Sequence, residues 1–145
     1  MPKPLTIDAG VFVRASTPDE GGFEESRAFL LALGHSLQPI ILPTLLRPEV
    51  AGAVSRGLRD SSWAAAVLAE IDRLPGVIFV PLDAALAEEA AKIAIRSRSR
   101  GADAVYAATA SRFDAILVTL DNEQRDRLPS QIMACSPSEA LERWI

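Results

Sequence analysis

Gly101-Ala-Asp-Ala-Val-Tyr-Ala-Ala-Thr-Ala-Ser-Arg-Phe-Asp-Ala-Ile-Leu-Val-Thr-Leu-Asp121 is the stretch that decides the fold. A glycine and an acid open an alanine-rich helical run. An apolar β run from Ala115 to Leu120 follows, and a second acid stands just past its end. A helix leading directly into a buried strand is the repeating unit of a parallel α/β sheet. In such sheets, helix N-termini and strand C-termini line one crevice, and ligands bind there. Asp103, at the helix start, and Asp121, at the strand end, are therefore expected on the same side of the sheet.

The same alternation extends upstream. Leu5 to Ile7 reads as a strand running into Asp8-Ala-Gly, with a helical turn over Val11 to Ala15. Phe23, Leu30 and Leu33 recur at helical spacing, predicting a helix from Phe23 to Leu33 that Gly34 caps. Pro39 to Leu42 is a second strand. A helix is expected from Leu45 to Arg56, with Leu46, Val50 and Val54 as its apolar stripe, Pro48 in or near its first turn and Gly57 at its end. Asp60-Ser-Ser62 supplies caps for a helix that buries Trp63, Val67, Ile71 and Leu74 and stops at Pro75-Gly76. Val77 to Val80 is a third strand. Asp83 caps a helix carrying Leu86, Ala90 and Ile93, and a basic linker from Arg96 to Arg100 leads back to the central stretch. Downstream, a short helix from Asn122 to Leu128, a strand from Gln131 to Ala134 and a terminal helix from Pro137 to Trp144 complete the chain. The expectation is a single α/β domain over 1–145, with a central parallel sheet flanked by helices on both faces.

Composition narrows the function. The 145 residues are 49% apolar, which is enough for one core and inconsistent with a disordered chain. No apolar run has the length needed to cross a bilayer, and the N-terminus enters a strand without a signal-peptide pattern. Cys135 is alone and lies in an apolar run, so no internal disulfide forms. Together these point to the cytoplasm. A net charge of −4 argues against coating nucleic acid non-specifically, although a cluster of metal-binding carboxylates would itself account for part of it. There is no histidine–cysteine set for zinc, His35 is the only histidine, and no glycine-rich phosphate loop is present.

Four acids stand out. Asp8, Asp103 and Asp121 each sit at a strand end or helix start, where the ordinary role of a single acid is capping. Three at matching positions favour a shared site. Glu49 flanks the apolar stripe of its helix and joins them as a fourth member. Carboxylates crowded together stay ionised only beside a cation, and hard oxygen ligands suit Mg²⁺ or Mn²⁺. The reaction such a set serves best is phosphodiester hydrolysis, with a carboxylate orienting the attacking water. Arg14 and the run Arg96, Arg98 and Arg100 are candidates for phosphate contact, which gives affinity without sequence selectivity.

These residues resemble a PIN domain, and in particular the VapC-type toxin ribonucleases of toxin–antitoxin pairs. The likeness rests on Asp8 after the first strand, Leu45-Leu-Arg-Pro-Glu49-Val, Gly101-Ala-Asp103-Ala-Val-Tyr-Ala-Ala-Thr-Ala and Leu117-Val-Thr-Leu-Asp121, and spans essentially the whole chain. It implies a Mg²⁺- or Mn²⁺-dependent endoribonuclease acting on RNA, with catalytic and metal-binding roles for Asp8, Glu49, Asp103 and Asp121. Thr119 matches the family's hydroxyl residue two before the last acid. The resemblance also implies a homodimer silenced by a cognate antitoxin. One departure stands at Asp8-Ala9-Gly10, where the family often carries Ser or Asn two residues after the acid. Two other readings compete. An aspartyl phosphate on Asp8 is opposed by the lack of an acid two residues on and of a lysine at a strand end. A non-catalytic PIN-like module kept for partner binding has only Gly10 in its favour.

Overall fold

A computed structural model describes residues 2–145. The first strand, β1 (Leu5–Ile7), is buried along its whole length, as an unbroken apolar run in a sheet covered on both faces must be. It passes straight into α1 (Ala9–Ala15), and α2 (Phe23–Leu33) returns the chain to β2 (Ile40–Pro43). Two helices, α3 (Leu46–Leu58) and α4 (Ser61–Asp72), lead to β3 (Val77–Val80). A second pair, α5 (Ala84–Ser97) and α6 (Gly101–Arg112), leads to β4 (Ile116–Val118). A short α7 (Asn122–Arg127), β5 (Ala134–Cys135) and α8 (Pro137–Trp144) end the chain.

The sheet is five-stranded in the order β3-β2-β1-β4-β5, and all of its pairings are parallel. Leu5, Thr6 and Ile7 of β1 lie opposite Ile116, Leu117 and Val118 of β4. Thr6 is fully buried, and its hydroxyl donates to the Ile41 carbonyl of the neighbouring strand at 2.9 Å. The chain moves outward from β1 to β3, then crosses back to β4 on the other side of β1. The reversal falls between β1 and β4, and the crevice beyond their C-terminal ends is where such sheets take ligands.

The most deeply buried helix is α6. Its residues from Ala104 to Ala110 are all buried, because it is wedged between α5 and strands β1, β2 and β4. Alanine suits that position, since its small side chain lets the helix axis approach the sheet closely while keeping the highest helix propensity. The stripe Leu46, Val50 and Val54 of α3 is buried as expected, and so are Leu86, Ala90 and Ile93 of α5.

Several expectations need correction. Gly57 does not end α3, which runs on to Leu58 and is closed by Arg59 in the left-handed conformation at φ 51°. Gly34 is the C-cap of α2 as expected, in the right-handed conformation, but that helix buries Ser26, Phe29 and Leu33, with Phe23 and Leu30 only half-buried. Trp63 is 40% exposed, because Asp60 caps α4 in a rotation that turns Ala64 inward, and its indole N–H instead donates to the Ser16 carbonyl. The basic stretch is not wholly a linker, since Arg96 and Ser97 form the last turn of α5 and left-handed Arg98 closes it. The last strand starts three residues later than expected, at Ala134–Cys135, because Pro129 to Ile132 is used in a turn that the Ile132 N–H closes on the Pro129 carbonyl.

Candidate active site

Four elements deliver the four acids to one place. Asp8 directly follows β1, Glu49 sits in the first turn of α3, Asp103 in the first turn of α6, and Asp121 ahead of α7. All four line an open cleft of about 800 Å³ at the C-terminal edge of the sheet, together with Gly10, Arg14, Arg56 and Arg100. The topology thus joins residues more than a hundred positions apart in the chain.

Asp8 holds the capping position of α1, yet its side chain makes no capping hydrogen bond. The Thr119 hydroxyl donates to its Oδ2 at 2.9 Å. That hydroxyl accepts in turn from the Asp121 backbone N–H at 3.1 Å. Thr119 is fully buried and therefore ties the end of β1 to the turn after β4. Burial pushes the Asp8 carboxyl up from 3.8 to about 6. Thr119 works against that shift, and the nearby charges of Asp103 and Glu49 add to it. Asp103 is also raised, by burial first and then by Asp121, while the Arg100 guanidinium pulls it down. Beyond the effect of burial, the acids therefore feel one another's charge.

Glu49 is held from behind. The Tyr106 hydroxyl donates to its Oε1 at 2.5 Å. Tyr106 is fully buried and lies one turn after Asp103 on α6, so it both packs the core and orients a cleft acid. Burial, followed by the Glu49 interaction, raises its pKa and keeps the phenol protonated as a donor. Asp121 does act as a helix cap, with Oδ1 accepting from the Gln124 N–H at 3.1 Å. Gln124 reaches the Asp103 carbonyl through its own amide, and the Arg125 guanidinium donates to the Thr119 carbonyl at 2.6 Å.

The donor set is made of hard oxygens alone. Among the described residues, Asp103 makes no side-chain hydrogen bond, and Glu49 and Asp121 each retain one carboxylate oxygen without a partner. No three His, Cys, Asp or Glu among those residues are gathered tightly enough to enclose an ion by themselves.

Of the expected arginines, Arg14 and Arg100 line the cleft and Arg96 and Arg98 do not. Arg14 is ion-paired to Glu20 at 2.8 Å. Arg56 was not foreseen. Its signal was its position seven residues after Glu49, two helical turns along the same face of α3. Gln124, three residues after Asp121, was missed for want of any motif.

A parallel α/β domain with an acid-lined cleft at the switch point of its sheet is the class of protein this structure defines. A family model of the PIN domain matches residues 5–127, and the chain belongs to the PIN domain family. Solved structures share the fold. VapBC2 from Rickettsia felis, crystallised with a DNA fragment from its promoter, aligns at a TM-score of 0.69 and 14% identity, over 91% of this chain and 97% of that one. FitAcB from Neisseria gonorrhoeae aligns at 0.68 and 20% identity, over 92% and 97%. The sarcin–ricin loop cleaving toxin VapC20 of Mycobacterium tuberculosis aligns at 0.73 and 13% identity, over 89% and 98%. Comparison with curated protein sequences gives no match.

Proposed function

We propose that this protein is a metal-dependent endoribonuclease of the VapC toxin type, with Asp8, Glu49, Asp103 and Asp121 as its acidic quartet. The observation that carries this reading is the convergence of those four carboxylates on one open cleft, with burial and mutual charge lifting Asp8 and Asp103. The resemblance of the fold to VapC20, whose name describes cleavage of the sarcin–ricin loop, and to toxin complexes of the VapBC and FitAB kind supports it.

Asp8, Asp103 and Asp121 would hold the ion, with Glu49 the fourth carboxylate. When bound, Mg²⁺ or Mn²⁺ lowers the pKa of a coordinated water and offsets charge on the phosphodiester. The residues do the rest. Thr119 fixes the Asp8 rotamer and, through the Asp121 N–H, the turn that carries Asp121. Tyr106 fixes Glu49, leaving Oε2 free to orient a water or accept its proton. Arg100 supplies positive charge at the rim for a phosphate backbone, while the charge of Arg14 is offset by Glu20. A cognate antitoxin, homodimerisation and a cytoplasmic setting belong to the same reading. Among the described residues no helix is long and apolar enough to cross a membrane.

The test is incubation of purified protein with a structured RNA pool, in Mn²⁺ or in EDTA, beside Asp103→Asn. Cleavage that requires the metal and vanishes in the variant supports the reading. Cleavage that survives both chelation and the substitution removes it.

A further inference from the structure

The cleft face of α3 carries Leu45, Pro48, Glu49, Ala53 and Arg56. Gly52 lies on the same face by helical spacing. A Cβ built on Gly52 would stand 3.0 Å from Nη1 of Arg56 and 3.9 Å from its Cζ. The guanidinium therefore lies back over the glycine, in the direction helix side chains lean, toward the turn that carries Glu49. A mid-helix glycine is unfavourable for the helix, and here its missing side chain provides the seat on which the arginine rests.

Arg56 is exposed, and among the described residues no acid lies within ion-pairing distance of it. Of the other arginines lining the cleft, Arg14 is bridged to Glu20, whereas Arg100 is, like Arg56, without an ion pair among the described residues. An unpaired guanidinium on the wall of an acid-lined cleft has its planar donor fork available for an anion, and the fork matches a phosphate.

We infer that Arg56, seated over Gly52, is a substrate-binding residue that takes a backbone phosphate of RNA beside the bond to be cut. This rests on the ribonuclease reading and extends it to a residue outside the acidic quartet. The contact is to the backbone, so it adds affinity for any sequence and holds the strand in register with the acids.

The test uses the full chain as wild type, Arg56→Ala, Arg56→Lys, Gly52→Ala and the Gly52→Ala/Arg56→Ala double variant. Binding of a fluorescein-labelled oligouridylate is measured by anisotropy in Ca²⁺ across a salt series, and kcat and KM are measured in Mn²⁺. Loss of one charge-assisted contact predicts binding about tenfold weaker for Arg56→Ala. The salt slope should fall by about 0.7, the value for one phosphate on a single strand. KM should carry most of the change, with a smaller loss in kcat from poorer register of the strand. Arg56→Lys should keep the salt slope and lose part of the affinity, since it retains the charge without the fork. Gly52→Ala should raise the melting temperature through helix propensity and weaken binding only slightly, since Nη1 of Arg56 would have to give by a few tenths of an ångström. In the Arg56→Ala background, Gly52→Ala should weaken binding no further.

Unchanged affinity and salt slope in Arg56→Ala would overturn the inference. So would a loss from Gly52→Ala that persists without the arginine. Failure of the ribonuclease reading looks different. There the wild type itself would neither cleave in Mn²⁺ nor bind the oligonucleotide, and both claims would fall together.

Discussion

Asp8 is the residue on which the cleft converges, and its carboxyl is held at about 6 instead of 3.8. Without metal, the folded protein binds that proton more tightly than the unfolded chain does. The stability Asp8 contributes is fully present below the unfolded value and is lost as pH rises through about 6. In EDTA, Asp8→Asn should therefore be more stable than wild type above pH 6, by on the order of 2–3 kcal/mol, and the gain should vanish near pH 4. Urea melts at the two pH values check this, and an equal gain at both would show that the carboxyl is not the cause. Tyr106→Phe removes the hydroxyl that orients Glu49 while keeping the ring. It should cost about 1 kcal/mol of stability. It should also slow cleavage, which a single-turnover rate measures. The positions of Asp8, Asp103 and Asp121 could be foreseen because strand ends and helix starts in a parallel sheet share one edge. The Tyr106–Glu49 bond could not, since it spans 57 positions and depends on how α6 is seated against the sheet.

At the scale of elements, most strands and helices were readable because their apolar periods are clean. The buried stripe of α3 and the terminal helix α8 matched their patterns. Misses arose where tertiary contacts outweighed local preference. Gly57 has no conformational need for glycine at a helix end, so α3 ran past it, and left-handed Arg59 took the stop. Gly76 is the opposite case. Its φ of 73° belongs to glycine, and a Cβ there would stand 3.2 Å from the Gln38 carbonyl oxygen. That tight turn sets β3 beside β2, where the Ile40 N–H donates to the Gly76 carbonyl. Gly76→Ala should destabilise the fold by more than about 1 kcal/mol. Asp60→Ala, which removes the α4 cap to the Trp63 N–H, should cost about 1 kcal/mol. Chemical denaturation of both variants checks the pair, and indifference to Gly76→Ala would contradict the packing described for that turn.

At the scale of the whole molecule, the strand order does the assembling. Reversal of direction between β1 and β4 opens a crevice, and each connection that returns to the sheet brings an acid to its rim. The parallel sheet could be anticipated from alternation alone. Its order could not, because neighbouring strands in space need not be neighbours in the chain, and β1 pairs with a strand more than a hundred residues away. The cleft exists only as a product of that order. In the proposed function these carboxylates direct water at an RNA phosphodiester. Cleavage in water enriched in heavy oxygen, in Mn²⁺ and followed by mass spectrometry of the product ends, tests this most directly. Linear phosphate ends carrying one solvent oxygen, absent in EDTA and in Asp103→Asn, are the expected result. Cyclic phosphate ends without solvent oxygen, or products that form equally in EDTA, would contradict it.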